Sequence, residues 1–412
     1  MKSHIFLLLF LFIGFVPYFD SIDIIGPQWL YLSFLNIPLL IFNYKLVNRF
    51  ILDIFSFKPL IYYLLFVIFC FLSLFYSNNI LISIIDLSRI TITFLSVINL
   101  IVLFSNTTFN FNLFSLLISI TLLFEILYSF YPLFDFLIAN SFSSVDFTSV
   151  PTALKGVAGN KNVLAADIAF KIPFVLYLIF NTKNFLKYLY SILLSFAFLN
   201  ILLLSSRAAF ISTFLVSAVF LFYFIINRKF WNLHFFISLI FPFIFIFSVN
   251  YFLSTTNSAT IQSRVTSISS ADESASHRIV LYENAIDYIS KNPFIGCGIG
   301  NWKVESLPYW KTKLSGYTIP YHAHNDFLEL TTEIGVFGGF FYILIFLALF
   351  YYSIVFIRRN NISGYLLFSI SVVYFIDASL NFPLERALSQ VNFMVMLISA
   401  YFLISNNEKQ YF

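Results

Sequence analysis

Charge is what this sequence has least of. Aspartate, glutamate, lysine and arginine together make up 10% of 412 residues, against roughly 25% in a soluble globular chain. So little charge cannot solvate a water-facing surface, which excludes a soluble fold. Cysteine is scarce too. Cys70 lies in an apolar run and Cys297 in a polar segment, so no disulfide framework is expected, and thiolate zinc spacing is lacking. There is no basic run of the kind that grips nucleic acid. Internal repeats and low-complexity tracts are also missing, apart from a Phe/Ile/Leu bias.

What is present is apolar length. Hydrophobic residues reach 60%, with 58 Phe and 25 Tyr, and mean hydropathy is +0.90. A helix needs about 20 mostly apolar residues to cross a bilayer, and only helices or closed barrels satisfy their backbone groups there. Apolar spans are expected at 4–18, 29–42, 60–76, 80–104, 112–130, 163–180, 188–204, 208–226, 233–252, 334–357, 363–380 and 389–404. The fold class is therefore all-α and polytopic, with about twelve transmembrane helices. The first span opens like a signal peptide, but it lacks a small-residue cleavage site and reads as a retained helix. The second is short enough to be tilted, kinked or only partly crossing.

Lysine and arginine set the orientation. With the N-terminus inside, eleven of them fall in the inside segments, against Lys155, Lys161, Arg207 and Arg386 in the short outside loops. Both termini are then cytoplasmic. The organisation expected is helices 1–9 over 1–252, an outside loop over 253–326 and helices 10–12 over 327–412, together one integral membrane domain. The loop contains an amphipathic stretch, Arg278 to Ile289, followed by Pro293 and a glycine-rich turn at Gly296, Gly298 and Gly300. It reads as folded, with a helix or two, since loops of this length are usually either functional or disordered.

The informative polar residues fall on the outside half. His322 and His324, two of five histidines, flank one alanine where the loop enters a helix. They either face water beside a cap formed by Asn325 or Asp326, or serve as a general base titrating near neutrality. A zinc site fails for want of a third ligand nearby. Asn325, Glu329 and Glu333 share one helical face, which suits a polar cavity. Gly335 and Gly339 form G-x-x-x-G, a helix-packing pattern. Arg207 and Arg278 could clamp a pyrophosphate bidentately, or act as an interfacial and a solvated charge. Asn160 and Asn162 could bind sugar hydroxyls or cap a helix. Arg89 lies within a span, where an ionisable group is a functional candidate by default.

The segment Tyr321-His322-Ala323-His324-Asn325-Asp326-Phe327-Leu328-Glu329-Leu330, running on into Glu333-Ile334-Gly335-Val336-Phe337-Gly338-Gly339, resembles the signature of the O-antigen ligase and Wzy-type polymerase superfamily. Gly159-Asn160-Lys161-Asn162, Ser206-Arg207-Ala208-Ala209, and Arg278 followed by the Asn292–Asn301 stretch occur in that family's order. The likeness covers about residues 155–345. It implies a GT-C-like helical membrane fold and a large periplasmic loop before the histidine-bearing helix. It also implies transfer of a glycan from undecaprenyl diphosphate to a hydroxyl, with no metal, cofactor or nucleotide sugar. The acceptor would be lipid A–core for a ligase, or another lipid-linked repeat for a polymerase. By the same resemblance His324 corresponds to the family histidine and Arg207 and Arg278 to its arginines, with His322, Asn325, Glu329, Asn160, Asn162 and Arg89 as supporting candidates. The implied setting is the bacterial inner membrane, with the site facing the periplasm and membrane lipids and other polysaccharide-assembly proteins as partners.

Two other classes compete. A transporter of lipid-linked sugar should show related halves with paired Gly/Pro breaks, and the sequence shows neither a repeat nor paired interruptions; Lys171 is the main polar exception within a span, with Pro173 the nearest break. A non-catalytic scaffold would not require His324 and two arginines.

Overall fold

The computed structural model describes residues 2–17, 19, 25–107, 109–139, 150–182, 185–255, 273–310 and 320–408. Their regular structure is helical throughout. In chain order the main helices are α1 (Lys2–Leu11), α2 (Gly26–Ser56), α3 (Lys58–Leu72), α4 (Ile80–Ser105), α5 (Phe111–Ala139), α6 (Lys161–Asn181) and α7 (Leu186–Leu204). There follow α8 (Arg207–Ile226), α9 (Leu233–Thr255), α10 (Glu273–Lys291), α11 (Asp326–Arg358), α12 (Ile362–Leu380) and α13 (Ala387–Glu408). Among the described residues, eleven helices are long and apolar enough to cross a membrane. They match the second to twelfth spans expected from hydropathy. The first corresponds to a shorter apolar helix, Ser3–Phe15. The second is longer than its apolar core, because no glycine or proline follows Pro38 until Pro59 and the helix runs on through Lys45 and Arg49.

Two compact units make up the chain. One contains Met1–Val16, Phe109–Ile268 and Ser353–Ile376; the other contains Pro17–Thr108, Ser269–Tyr352 and Asp377–Phe412. In the first, α6 is the central helix, packed on α5, α7 and α8 and buried almost along its whole length. Lys171, in its middle, is fully enclosed and pairs with Glu125 Oε1 at 2.5 Å and Asp167 Oδ2 at 2.9 Å. Asn160 caps α6, its Oδ1 accepting from the Asn162 and Val163 amides. Ser205, in the left-handed region at φ 54°, closes α7, so α8 begins two residues later at Arg207.

In the second unit α4 packs on α2, α3 and α13. Side-chain amides join α2 to α4: Asn36 donates to Ser96 Oγ at 2.7 Å, Asn43 to the Asn99 carbonyl at 2.7 Å, and Asn99 to Asn36 Oδ1 at 3.0 Å. The amphipathic stretch of the long polar segment is helix α10, followed by two short turns, Trp302–Glu305 and Leu307–Trp310.

Helix α11 is broken at Gly335, whose φ of 76° and ψ of 173° lie outside the helical region. The break frees the Thr332 and Glu333 carbonyls, which accept from the Cys297 and Gly298 amides, while the Val336 amide turns to the Pro293 carbonyl. A Cβ at Gly335 would lie 2.2 Å from the Phe294 carbonyl oxygen. The sequence pattern reads as a helix–helix packing motif, but here the first glycine opens a kink into which the 293–298 segment docks. Beyond it, Asn301 donates to Ser77 and Ser83 and accepts from the Asn79 amide, fixing the segment to the α3–α4 junction.

Candidate active site

The turn from Tyr321 to Asn325 is built so that α11 can start abruptly. Asn325 Oδ1 accepts the Leu328 amide at 3.1 Å, capping the helix. His324 takes the left-handed conformation, φ 54°, which redirects the chain into the cap. Its carbonyl lies 3.3 Å from the Tyr282 hydroxyl of α10, which also reaches the Ser379 carbonyl at 3.2 Å; the single phenolic proton can serve only one at a time. Arg278 sits one turn before Tyr282 on α10. Burial raises the Tyr282 phenol above its ordinary value, and the positive field of Arg278 opposes that rise. Thus the face of α10 that bears Arg278 adjoins the histidine turn.

His322 Nδ1 lies 2.9 Å from Glu329 Oε1, and Glu329 Oε2 accepts the Ala323 amide at 2.8 Å. The side chains are 19% and 13% exposed. Burial by itself would lower the His322 value, but the Glu329 charge and hydrogen bond, with Glu385 further off, hold it above 6.5. The ring stacks on Phe382 with centroids 4.4 Å apart at 14°. His324 meets the same ring edge-on at 5.0 Å, and the Arg386 guanidinium lies 5.1 Å from its centroid.

Beside this turn is a cavity lined by Asp86, Arg89, Asp326, Glu329, Glu333 and Glu385 with Ile90, Ile299, Leu330 and Leu384. Glu329 and Glu333 thus face a cavity, as their shared helical face implies. Arg89 pairs with Asp86 at 3.0 Å and Glu385 at 2.5 Å. Lys303 adds contacts to the same two carboxylates at 3.3 and 3.7 Å. Burial would raise Glu385, but His322, Lys303, Arg89 and Arg386 pull it below its usual range. Lys303 is correspondingly raised by Asp86 and Glu385 against the lowering effect of burial. Glu333 Oε1 accepts the Trp302 amide at 3.1 Å and Asp326 Oδ2 the Leu384 amide at 3.2 Å. The cavity wall is therefore a cross-linked set of charges drawn from α4, α11, the 302–305 turn and the 383–385 turn.

Residues 191–343 match the family model described as O-antigen ligase. The matched stretch includes Arg207, Arg278, His322, His324, Asn325 and Glu329, but not Asn160, Asn162 or Arg89. No curated protein matches the chain.

Of the residues singled out in the sequence, the second unit brings Arg278, His322, His324, Asn325, Glu329 and Arg89 together around the turn and its cavity. Arg207, Asn160 and Asn162 belong to the first unit. Sequence reasoning does not reach Tyr282, Lys303, Phe382 or Glu385, nor a site role for Arg386. Asp86 was accessible, since it is a second ionisable residue on the span that bears Arg89 and lies three positions away. Phe382 carries no local signal in a chain with 58 phenylalanines.

Proposed function

We propose that the protein is a membrane glycosyltransferase that moves a glycan from a polyprenyl diphosphate, undecaprenyl diphosphate by resemblance, to an acceptor hydroxyl at the periplasmic face of the bacterial inner membrane. The observation that carries this reading is the ligase-family match over 191–343; within it lies a histidine turn beside a charged cavity. The donor is already activated, because the diphosphate leaves readily. Arg278 would neutralise the charge that grows on it as the sugar–oxygen bond breaks, the role that the motif correspondence also gives to Arg207. Arg207 is suited to this, standing at the first position of a 20-residue helix where unpaired amides also favour anions. A histidine of the Tyr321–Asn325 turn would take the acceptor's proton, a role the motif correspondence gives to His324. No metal is required by this chemistry. Direct displacement would invert the anomeric configuration.

A ligase, with lipid A–core or another surface glycan as acceptor, is the first reading. A Wzy-type polymerase shares the donor chemistry and differs only in acceptor. Deleting the gene and resolving cell-surface glycan by gel tests both. Full-length chains left unattached identify a ligase, and single repeats on the acceptor identify a polymerase. An unchanged glycan profile would refute the transferase reading.

A further inference from the structure

Helices α7, α8 and α9 follow one another within the first unit. α9 packs along α7 and α8 along α6, while α8 and α9 make little contact with each other. The gap between them is an apolar groove. Ile201 and Leu202 of α7, both almost fully buried, form its floor; Phe210 and Phe214 of α8 stand on one side, and Phe243 and Ile246 of α9 on the other. The polar exceptions are the hydroxyls of Thr213 and Ser217. Phe214 is 72% exposed, so this wall faces outward from a span whose composition suits lipid. Toward the 228–230 turn the two helices are joined by rings: the Phe230 centroid lies 5.0, 5.8 and 4.9 Å from those of Phe180, Tyr223 and Phe235. The other end of the groove points to the start of α8.

That start is Arg207. Arg207, Phe210, Phe214 and Ser217 stand three, four and three residues apart and so share one face of α8. At a rise of about 1.5 Å per residue the face from Arg207 to Ser217 is about 15 Å long. It carries a permanent positive charge at its end and an apolar groove along the following turns. The first amides of α8 have no helical partner, and the Ser206 side chain makes no capping hydrogen bond to them, so they favour an anion beside the guanidinium. The ligand with this pattern has an anionic head and one long apolar chain. A phospholipid would bring two chains to a single groove. Phenylalanine rings from all three helices, Phe198 and Phe243 being in contact at 5.5 Å, suit a chain of flat, methyl-branched alkene units.

We propose that this groove receives the polyprenyl chain of the lipid-linked donor, with Arg207 and the first turn of α8 holding the diphosphate at its end. The donor's class comes from the transferase reading, on which the proposal rests. The chain takes no part in bond breaking, so the groove supplies binding that is equal in the ground and transition states. Lipid is as apolar as the groove, so fit to the chain and anchorage of the head, rather than transfer out of water, give the site its preference.

The test is photolabelling of the full chain in vesicles of phosphatidylethanolamine and phosphatidylglycerol, using undecaprenyl diphosphate that carries a diazirine on its tail, with the labelled peptides read by mass spectrometry. Labels should concentrate at 198–217 and 243–246 and be suppressed by excess unlabelled undecaprenyl diphosphate. Labels spread over other spans, or suppressed equally well by added phosphatidylglycerol, overturn the proposal. Arg207→Ala should lower groove labelling roughly ten- to hundredfold through loss of charge-assisted hydrogen bonds to the head; undiminished labelling overturns the pairing of head and groove. Ser217→Phe narrows the groove. It should lower the ratio of kcat/KM for an undecaprenyl-linked donor to that for a donor on a short prenyl chain by about tenfold, a ratio that a general loss of folded protein would not move; an unchanged ratio counts against the groove. Groove labelling in a protein without transfer activity would overturn the transferase reading and keep the lipid site. Transfer with labelling elsewhere would do the reverse.

Discussion

Arg278 shows how a single side chain takes its meaning from its neighbours. By sequence it is one charge in a long polar segment. In the structure it stands a turn before Tyr282, whose hydroxyl lies within reach of the His324 carbonyl. A guanidinium there can grip a phosphate with two parallel hydrogen bonds, and each charge-assisted bond contributes about 1.5–3 kcal/mol. Arg278→Ala should therefore weaken lipid-diphosphate binding by roughly ten- to hundredfold, and Arg278→Lys should recover part of the loss by keeping the charge without the fork. Equal, unimpaired binding in both variants, measured with a fluorescent polyprenyl diphosphate in detergent, would remove Arg278 from that role. The histidine turn was legible in the sequence because its residues are consecutive. Phe382, Glu385 and Lys303 were not, because they reach the turn only through chain pairings that no local pattern records.

Helix α11 is the element on which the site depends, and its break sets the site's shape. An unbroken helix would use the Thr332 and Glu333 carbonyls internally. The Gly335 kink releases them to Cys297 and Gly298, and this docking brings the Trp302 amide to Glu333. Gly335→Ala would force a side chain into a conformation that costs at least about 1–3 kcal/mol, with its Cβ against the Phe294 carbonyl. The 293–301 segment should then detach. Hydrogen exchange at the Cys297 and Gly298 amides should speed up markedly while α4 and α13 stay protected; unchanged exchange there would show that the kink does not hold the segment. Hydropathy located the spans because burial in lipid is a property of composition. It could not locate the kink, since a G-x-x-x-G pair reads the same whether it packs two helices or opens one.

At the scale of the molecule, a chain with so few charges nonetheless encloses some of them completely, and the lipid-like interior makes each one costly unless it is matched. In the first unit Lys171 stands on the most deeply buried helix, between Glu125 and Asp167. The sequence marked Lys171 as an exception but not its partners, because Glu125 comes from α5, a different span. Removing the cation leaves two carboxyls facing one another without solvent, and breaking a buried pair in this way costs about 3–5 kcal/mol. Lys171→Met should therefore lower the melting temperature of the detergent-solubilised protein sharply. Glu125→Gln should cost less, since Lys171 and Asp167 would remain as a matched pair one turn apart on α6. If both variants melted like the wild type, the enclosed charges would not be what joins α5 to α6, and the apolar contacts along α6 would suffice.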